Sequence, residues 1–84
     1  MKIRFNIDPE TGMPHIHRHG VREGEAEDVL SNPGEDRPGK EGWRIAIGQT
    51  FGGRYLRVIY VPDLDPNGVF VTTAYELKGK PLAA

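Results

Sequence analysis

The sequence predicts a small α+β domain: a three-stranded antiparallel β-meander over residues 43–77, an N-terminal strand at the sheet edge, and one short and one longer helix packed on one face. Three observations carry this. The runs 43–50, 54–61 and 69–77 are rich in β-branched and aromatic residues. They are bounded by turn chemistry, Phe51-Gly52-Gly53 on one side and the polar 62–68 connection ending in Asn67-Gly68 on the other. Upstream, Ala26, Val29 and Leu30 recur at helical spacing among Glu23, Glu25, Glu27 and Asp28.

In chain order, Ile3, Phe5 and Ile7 alternate with Lys2, Arg4 and Asn6 over 2–7, the period of a half-buried strand. Asp8-Pro9-Glu10-Thr11-Gly12 is a turn by composition. Pro14 suits the first turn of a helix and Gly20 the left-handed residue that ends one, so 13–20 reads as the short helix. The longer helix spans 21–32, with Glu23 and Glu25 complementing its dipole and Asn32-Pro33-Gly34 as its stop. Residues 35–42, polar and holding Pro38, Gly39 and Gly42, read as a surface loop back to the meander.

Alternation sorts the strand faces. Ile45 and Ile47 lie on one side of the first meander strand, with Arg44, Ala46, Gly48 and Thr50 on the other. On the second, Leu56, Val58 and Tyr60 oppose Tyr55, Arg57, Ile59 and Val61, and apolar residues on both faces mark a central strand. The expected assignment sends Ile45, Ile47, Leu56, Val58 and Tyr60 to the helices and presents Arg44 and Arg57 on the opposite surface. For the third strand, the pattern does not say which of its two sets faces the helices.

The chain has 84 residues, room for a single domain over 1–84 with one core. It contains no cysteine, which excludes a disulfide framework and a thiolate zinc site and suits a reducing cytoplasm. No apolar run approaches the ~18 residues that span a bilayer, and no secretory leader pattern opens the chain, so a soluble, cytoplasmic protein without membrane contact is expected. The net charge of −1 hides an asymmetry: residues 1–42 carry six basic against nine acidic side chains, and residues 43–84 five against three. The sheet half is the basic half. This suits an anionic partner there, although ordinary surfaces also show a surplus of this size.

Four constellations bear on chemistry. His15, His17 and His19 occur within five residues. His15 and His19 have the spacing of a helical metal pair, but Ile16 stands where metalloprotease helices place a glutamate. A polar helix end, or a histidine that contacts phosphate or moves a proton, also fits. Arg44, Arg54 and Arg57 stand on neighbouring strands, where converging guanidinium groups would clamp phosphate and isolated ones would simply be solvated. Trp43, Tyr55, Tyr60 and Tyr75 offer base stacking, with Trp43 and Tyr60 better placed as core. Lys78-Gly79-Lys80 forms a basic tip. A Walker loop, a serine-histidine-acid order and a paired-carboxylate signature are all missing.

The order of parts resembles a known group. His15 with Arg18-His19-Gly20-Val21, then Glu25-Ala26, Val29-Leu30 and Asn32-Pro33, then Arg44-Ile45-Ala46-Ile47-Gly48, the Gly53-Arg54-Tyr55-Leu56-Arg57 hairpin arm and Thr72-Thr73-Ala74-Tyr75 are similar to the BrnT-type toxins and their uncharacterised small relatives in the RelE/ParE superfamily. The resemblance covers roughly residues 13–77. It implies a RelE-like fold and a toxin-like endoribonuclease of a toxin-antitoxin pair, cleaving RNA without a metal or other cofactor. RNA or the ribosome would be the target, and a cognate antitoxin protein the partner. On this resemblance Arg44, Arg54 and Arg57 are expected to hold the scissile phosphate, and His19 or His17, helped by Tyr75, to move protons. The chain departs from the group where an arginine usually stands, at Tyr75, and where a C-terminal helix usually follows, since Gly79 and Pro81 disfavour one. A non-catalytic RelE-like module that binds a protein or nucleic acid is the alternative.

Overall fold

A computed structural model describes residues 2–63 and 67–78. The middle of the 62–68 connection and the Gly79-Lys80 part of the basic tip lie outside the described residues. The chain forms β1 (Lys2–Phe5), a 3-10 helix (His15–His19), α1 (Glu23–Ser31), β2 (Glu35–Pro38), a 3-10 turn (Lys40–Gly42), β3 (Arg44–Gln49), β4 (Tyr55–Pro62) and β5 (Gly68–Glu76). The strands make one five-stranded sheet in the order β1-β5-β4-β3-β2. The α+β class holds, and β4 is the central strand that its two apolar faces require.

Three details differ from the expectation. The sheet is mixed, because β1 runs parallel to β5, pairing Ile3 with Val69 and Phe5 with Val71. A parallel neighbour needs a long crossover, and the two helices and the β2 to β4 ribbon supply it. Second, part of the 35–42 segment is not a loop: Glu35–Pro38 pairs antiparallel with β3 and forms the other sheet edge. Its polar composition hid it, yet an edge strand has one side free for solvent, and Pro38 there leaves no ladder donor unpaired. Asp36 is its anchor, accepting hydrogen bonds from Tyr60 Oη at 2.5 Å and Arg44 Nε at 3.0 Å. Third, the short helix is a five-residue 3-10 segment, and α1 begins at Glu23, where the Arg22 N–H donates to the Glu25 carboxylate at 3.1 Å.

The helices share one face of the sheet. Ile16, Val21, Ala26 and Val29 pack with Ala46, Leu56, Val58, Tyr60, Val71 and Ala74 into a single buried cluster, with Ile3, Phe5, Leu30 and Val69 against it. Ladder register therefore reverses the expected assignment of β3. Ala46 lies opposite Val58 and Gly48 opposite Leu56, so the small side of β3 meets the helices and Ile45 and Ile47 face away. The cause is steric. A Cβ on Gly48 would stand 3.3 Å from the Gly34 nitrogen and 3.4 Å from the Pro33 Cα, so the chain leaving α1 rests directly on β3 backbone. Replacing Gly48 by alanine is expected to cost about 1 kcal/mol, read as a lower urea midpoint at unchanged m-value, because both contacts are backbone atoms with little room to give.

The third strand mixes its two alternating sets. Ile59 pairs with Thr73 but Tyr60 pairs with Val71, a bulge that skips Thr72. Val71 and Ala74, three residues apart, thus both reach the core, while Thr73 and Tyr75 turn to the open side.

Candidate functional site

The open face of the sheet carries Ile45, Ile47, Ile59, Val61 and Phe70, all half-buried, with Arg57 and Tyr75 among them. Trp43, expected in the core, is 40% exposed next to this face. Arg57 stands in mid-β4 with Ile47 on one side and Tyr75 on the other. Its Nη1 donates to Tyr75 Oη at 3.1 Å and its guanidinium carbon lies 5.8 Å from the tyrosine ring centre. Its Nε is buried without a hydrogen-bond partner. Each of the other six arginines, all among the described residues, contacts a carboxylate. Among the described residues Arg57 contacts none, so its charge lacks the carboxylate counterpart that the other six have.

Tyr75 links this arginine to the histidine segment. The His19 ring lies 6.1 Å from the Tyr75 ring, and His15 packs edge-on against His19 at 5.3 Å. Ile16 positions the segment: it is buried between them in sequence and docks the 3-10 helix on the sheet, while Gly20, at φ 71°, ends it. His15, His19, Tyr75 and Arg57 therefore form one contiguous basic and aromatic group at the β4-β5 end of the open face.

The other expected site residues lie elsewhere. His17 turns to Glu23, with Nε2 and Oε1 2.5 Å apart, and this bond holds the Glu23 carboxyl below its ordinary pKa. Arg18 is engaged by Asp8 and Glu10 in the turn after β1. Arg44 is on the helix side, not beside Arg57, where Tyr60 and Asp36 raise its pKa. Burial, followed by the bond to Asp36, pushes Tyr60 up as well. Arg54 joins three segments, donating to both Glu25 oxygens at 2.8 Å, to Glu76 at 3.2 Å and to the Gly20 carbonyl at 3.1 Å. Arg44, Arg54 and Arg57 thus form no common clamp. Among the described residues no group of three or more histidine, aspartate or glutamate side chains is placed to hold a metal ion, and no helix is long and apolar enough to cross a membrane.

His15 is paired with His19 by spacing in the sequence, as a candidate metal pair and not among the residues expected to act on RNA; the structure brings the two rings together at 5.3 Å. The isolation of Arg57 did leave a trace: it is the one charged residue in the run Tyr55 to Val61, with Tyr55 and Ile59 on its own face. No family model, curated protein or solved structure matches the chain.

Proposed function

We propose that the protein is a metal-independent endoribonuclease of the toxin type, acting on RNA in the cytoplasm and held in check by a cognate antitoxin. The observation that carries the reading is an arginine without a carboxylate partner among the described residues, bonded to a tyrosine whose ring lies beside that of a histidine. A phosphodiester supplies the anion Arg57 lacks, and a guanidinium offers it parallel donors. In this chemistry His19 takes the proton from the ribose 2′-hydroxyl, whose oxygen attacks phosphorus. The bond from phosphorus to the leaving 5′-oxygen breaks as that oxygen takes a proton from water, the hydroxide so formed being neutralised by the proton His19 has taken up, giving a 2′,3′-cyclic phosphate and a free 5′-hydroxyl. Arg57 meets the charge that grows on the phosphorane, with Tyr75 holding its guanidinium in place. His17, Arg44 and Arg54, committed to Glu23, Asp36 and Glu25 respectively, maintain the fold that aligns this group.

The test is RNA cleavage by purified protein, alone and in a translating extract. Arg57→Ala and His19→Ala are each expected to reduce the rate by about a hundredfold or more, the scale of a lost charge stabiliser or proton carrier. Arg22→Ala, at an exposed position by α1, is expected to match wild type. Equal cleavage by all four proteins, or none by wild type in either setting, would exclude the reading.

A further inference from the structure

The open face also carries the pattern of a self-complementary interface, and we infer that two copies of this chain pack these faces together about a two-fold axis. One row across the sheet reads Glu35, Ile47, Arg57, Tyr75, on β2, β3, β4 and β5 in turn. All four side chains project on the open side and all are half-buried. In a face-to-face pair whose axis runs along β3, Ile47 meets its own copy on the axis. Glu35, one strand to one side, then stands over Arg57 of the second copy, one strand to the other. By symmetry the reverse pair forms too, so a single row supplies two ion pairs around an apolar centre.

Both charges are available for it. Among the described residues Arg57 has no carboxylate partner, and Glu35 pairs with Arg37 alone, two residues along the same exposed edge strand, at 3.3 Å. An exposed pair of that kind contributes ~0–1 kcal/mol and exchanges readily for a better-shielded partner. The flanking surface supports the same occupant. Ile45, Ile59 and Val61 continue the apolar strip beyond the row, and sheets pack at ~10 Å, a separation that these side chains fill. A face five short strands wide offers several hundred Å² per copy, at the lower end of specific interfaces, which places association in the micromolar range. Because the pair covers Arg57, the monomer is the form that would bind RNA, and self-association would set the fraction that is active. The interface itself does not depend on that activity.

The experiment is molecular mass by sedimentation equilibrium, with circular dichroism to confirm folding, on wild type, Arg57→Glu, Glu35→Arg and the variant carrying both changes. Wild type is expected at twice the chain mass in the high micromolar range. Each single change sets like charges against each other in both symmetric pairs and should weaken association at least tenfold; the double change restores opposite charges and the dimer. Ile47 adds a second readout: Ile47→Arg sets two like charges against each other on the axis and should also abolish the dimer, whereas Phe51→Arg, at the exposed hairpin tip, should leave it intact. A monomeric wild type at these concentrations, single variants that dimerise undiminished, or folded single variants that the double change does not rescue would overturn the interface. Mass alone decides the matter, so failure here is separable from failure to cleave RNA.

Discussion

Leu56→Ala should lower the free energy of unfolding by about 3 kcal/mol, the largest single-residue effect expected in this chain. Leu56 is fully buried in mid-sheet, and its neighbour across the ladder is Gly48, which has no side chain to move into the space. The segment above is already close, because Pro33 and Gly34 pass within 3.4 Å of where a Gly48 Cβ would stand and the Gly34 N–H is bonded to the Ile47 carbonyl at 2.9 Å. The cost therefore combines lost burial with a cavity that stays open. For a domain with ~5–15 kcal/mol in total, this is a substantial share of its stability. Urea unfolding should show the midpoint falling at constant m-value, and a loss under about 1 kcal/mol would mean that the core repacks.

Arg54→Met should cost about 2 kcal/mol at neutral pH, and the loss should depend on acid in a defined direction. Arg54 ties the start of α1, through Glu25, to the end of β5, through Glu76, and also satisfies the Gly20 carbonyl. Glu25 has a side chain only 13% exposed, so removing the guanidinium leaves a carboxylate with little water to replace it. Burial alone would raise the Glu25 pKa, but the Arg22 N–H and the Arg54 guanidinium outweigh it and hold it below the ordinary 4.5. A carboxyl depressed in the folded state contributes stability above its ordinary pKa and loses it as the pH falls through the folded value. Wild-type melting temperature should therefore decline in acid below the ordinary carboxylate range, aided by Asp8, depressed chiefly by Arg18, and Glu23, depressed chiefly by His17. The variant should start lower and decline less, so that the two curves converge at low pH. A gap that stays constant across the titration would show that Arg54 acts through packing alone.

The candidate site is partly legible in the sequence. His19, Arg57 and Tyr75 were all singled out in the sequence, and they are brought together on one side of the sheet. Arg44, Arg54 and His17 have the same residue types and similar spacing, yet each is bound to a carboxylate contributed by another segment. Nothing local distinguishes an arginine paired with a carboxylate from one that is not, since the partners of Arg54 lie 29 and 22 residues away.

What the sequence determined by itself was local: the α+β class, the central strand with two apolar faces, the acidic helix ended by Asn32-Pro33-Gly34, and the Gly52-Gly53 hairpin, whose Gly53 takes a φ of +96°. Each rests on propensity or periodicity within a few residues. The tertiary structure alone decided which side of β3 meets the helices, because the register with β4 and the close approach of Gly34 to Gly48 set it, and hydrophobicity pointed the other way. It also decided that Glu35–Pro38 is a strand, through the Asp36 anchor to Tyr60 and Arg44, and that a bulge at Thr72 carries Tyr75 to the open face. That bulge places Tyr75 beside Arg57, and so an arginine with no carboxylate partner among the described residues, which the sequence shows only as one charge in an apolar run, becomes the centre of the site.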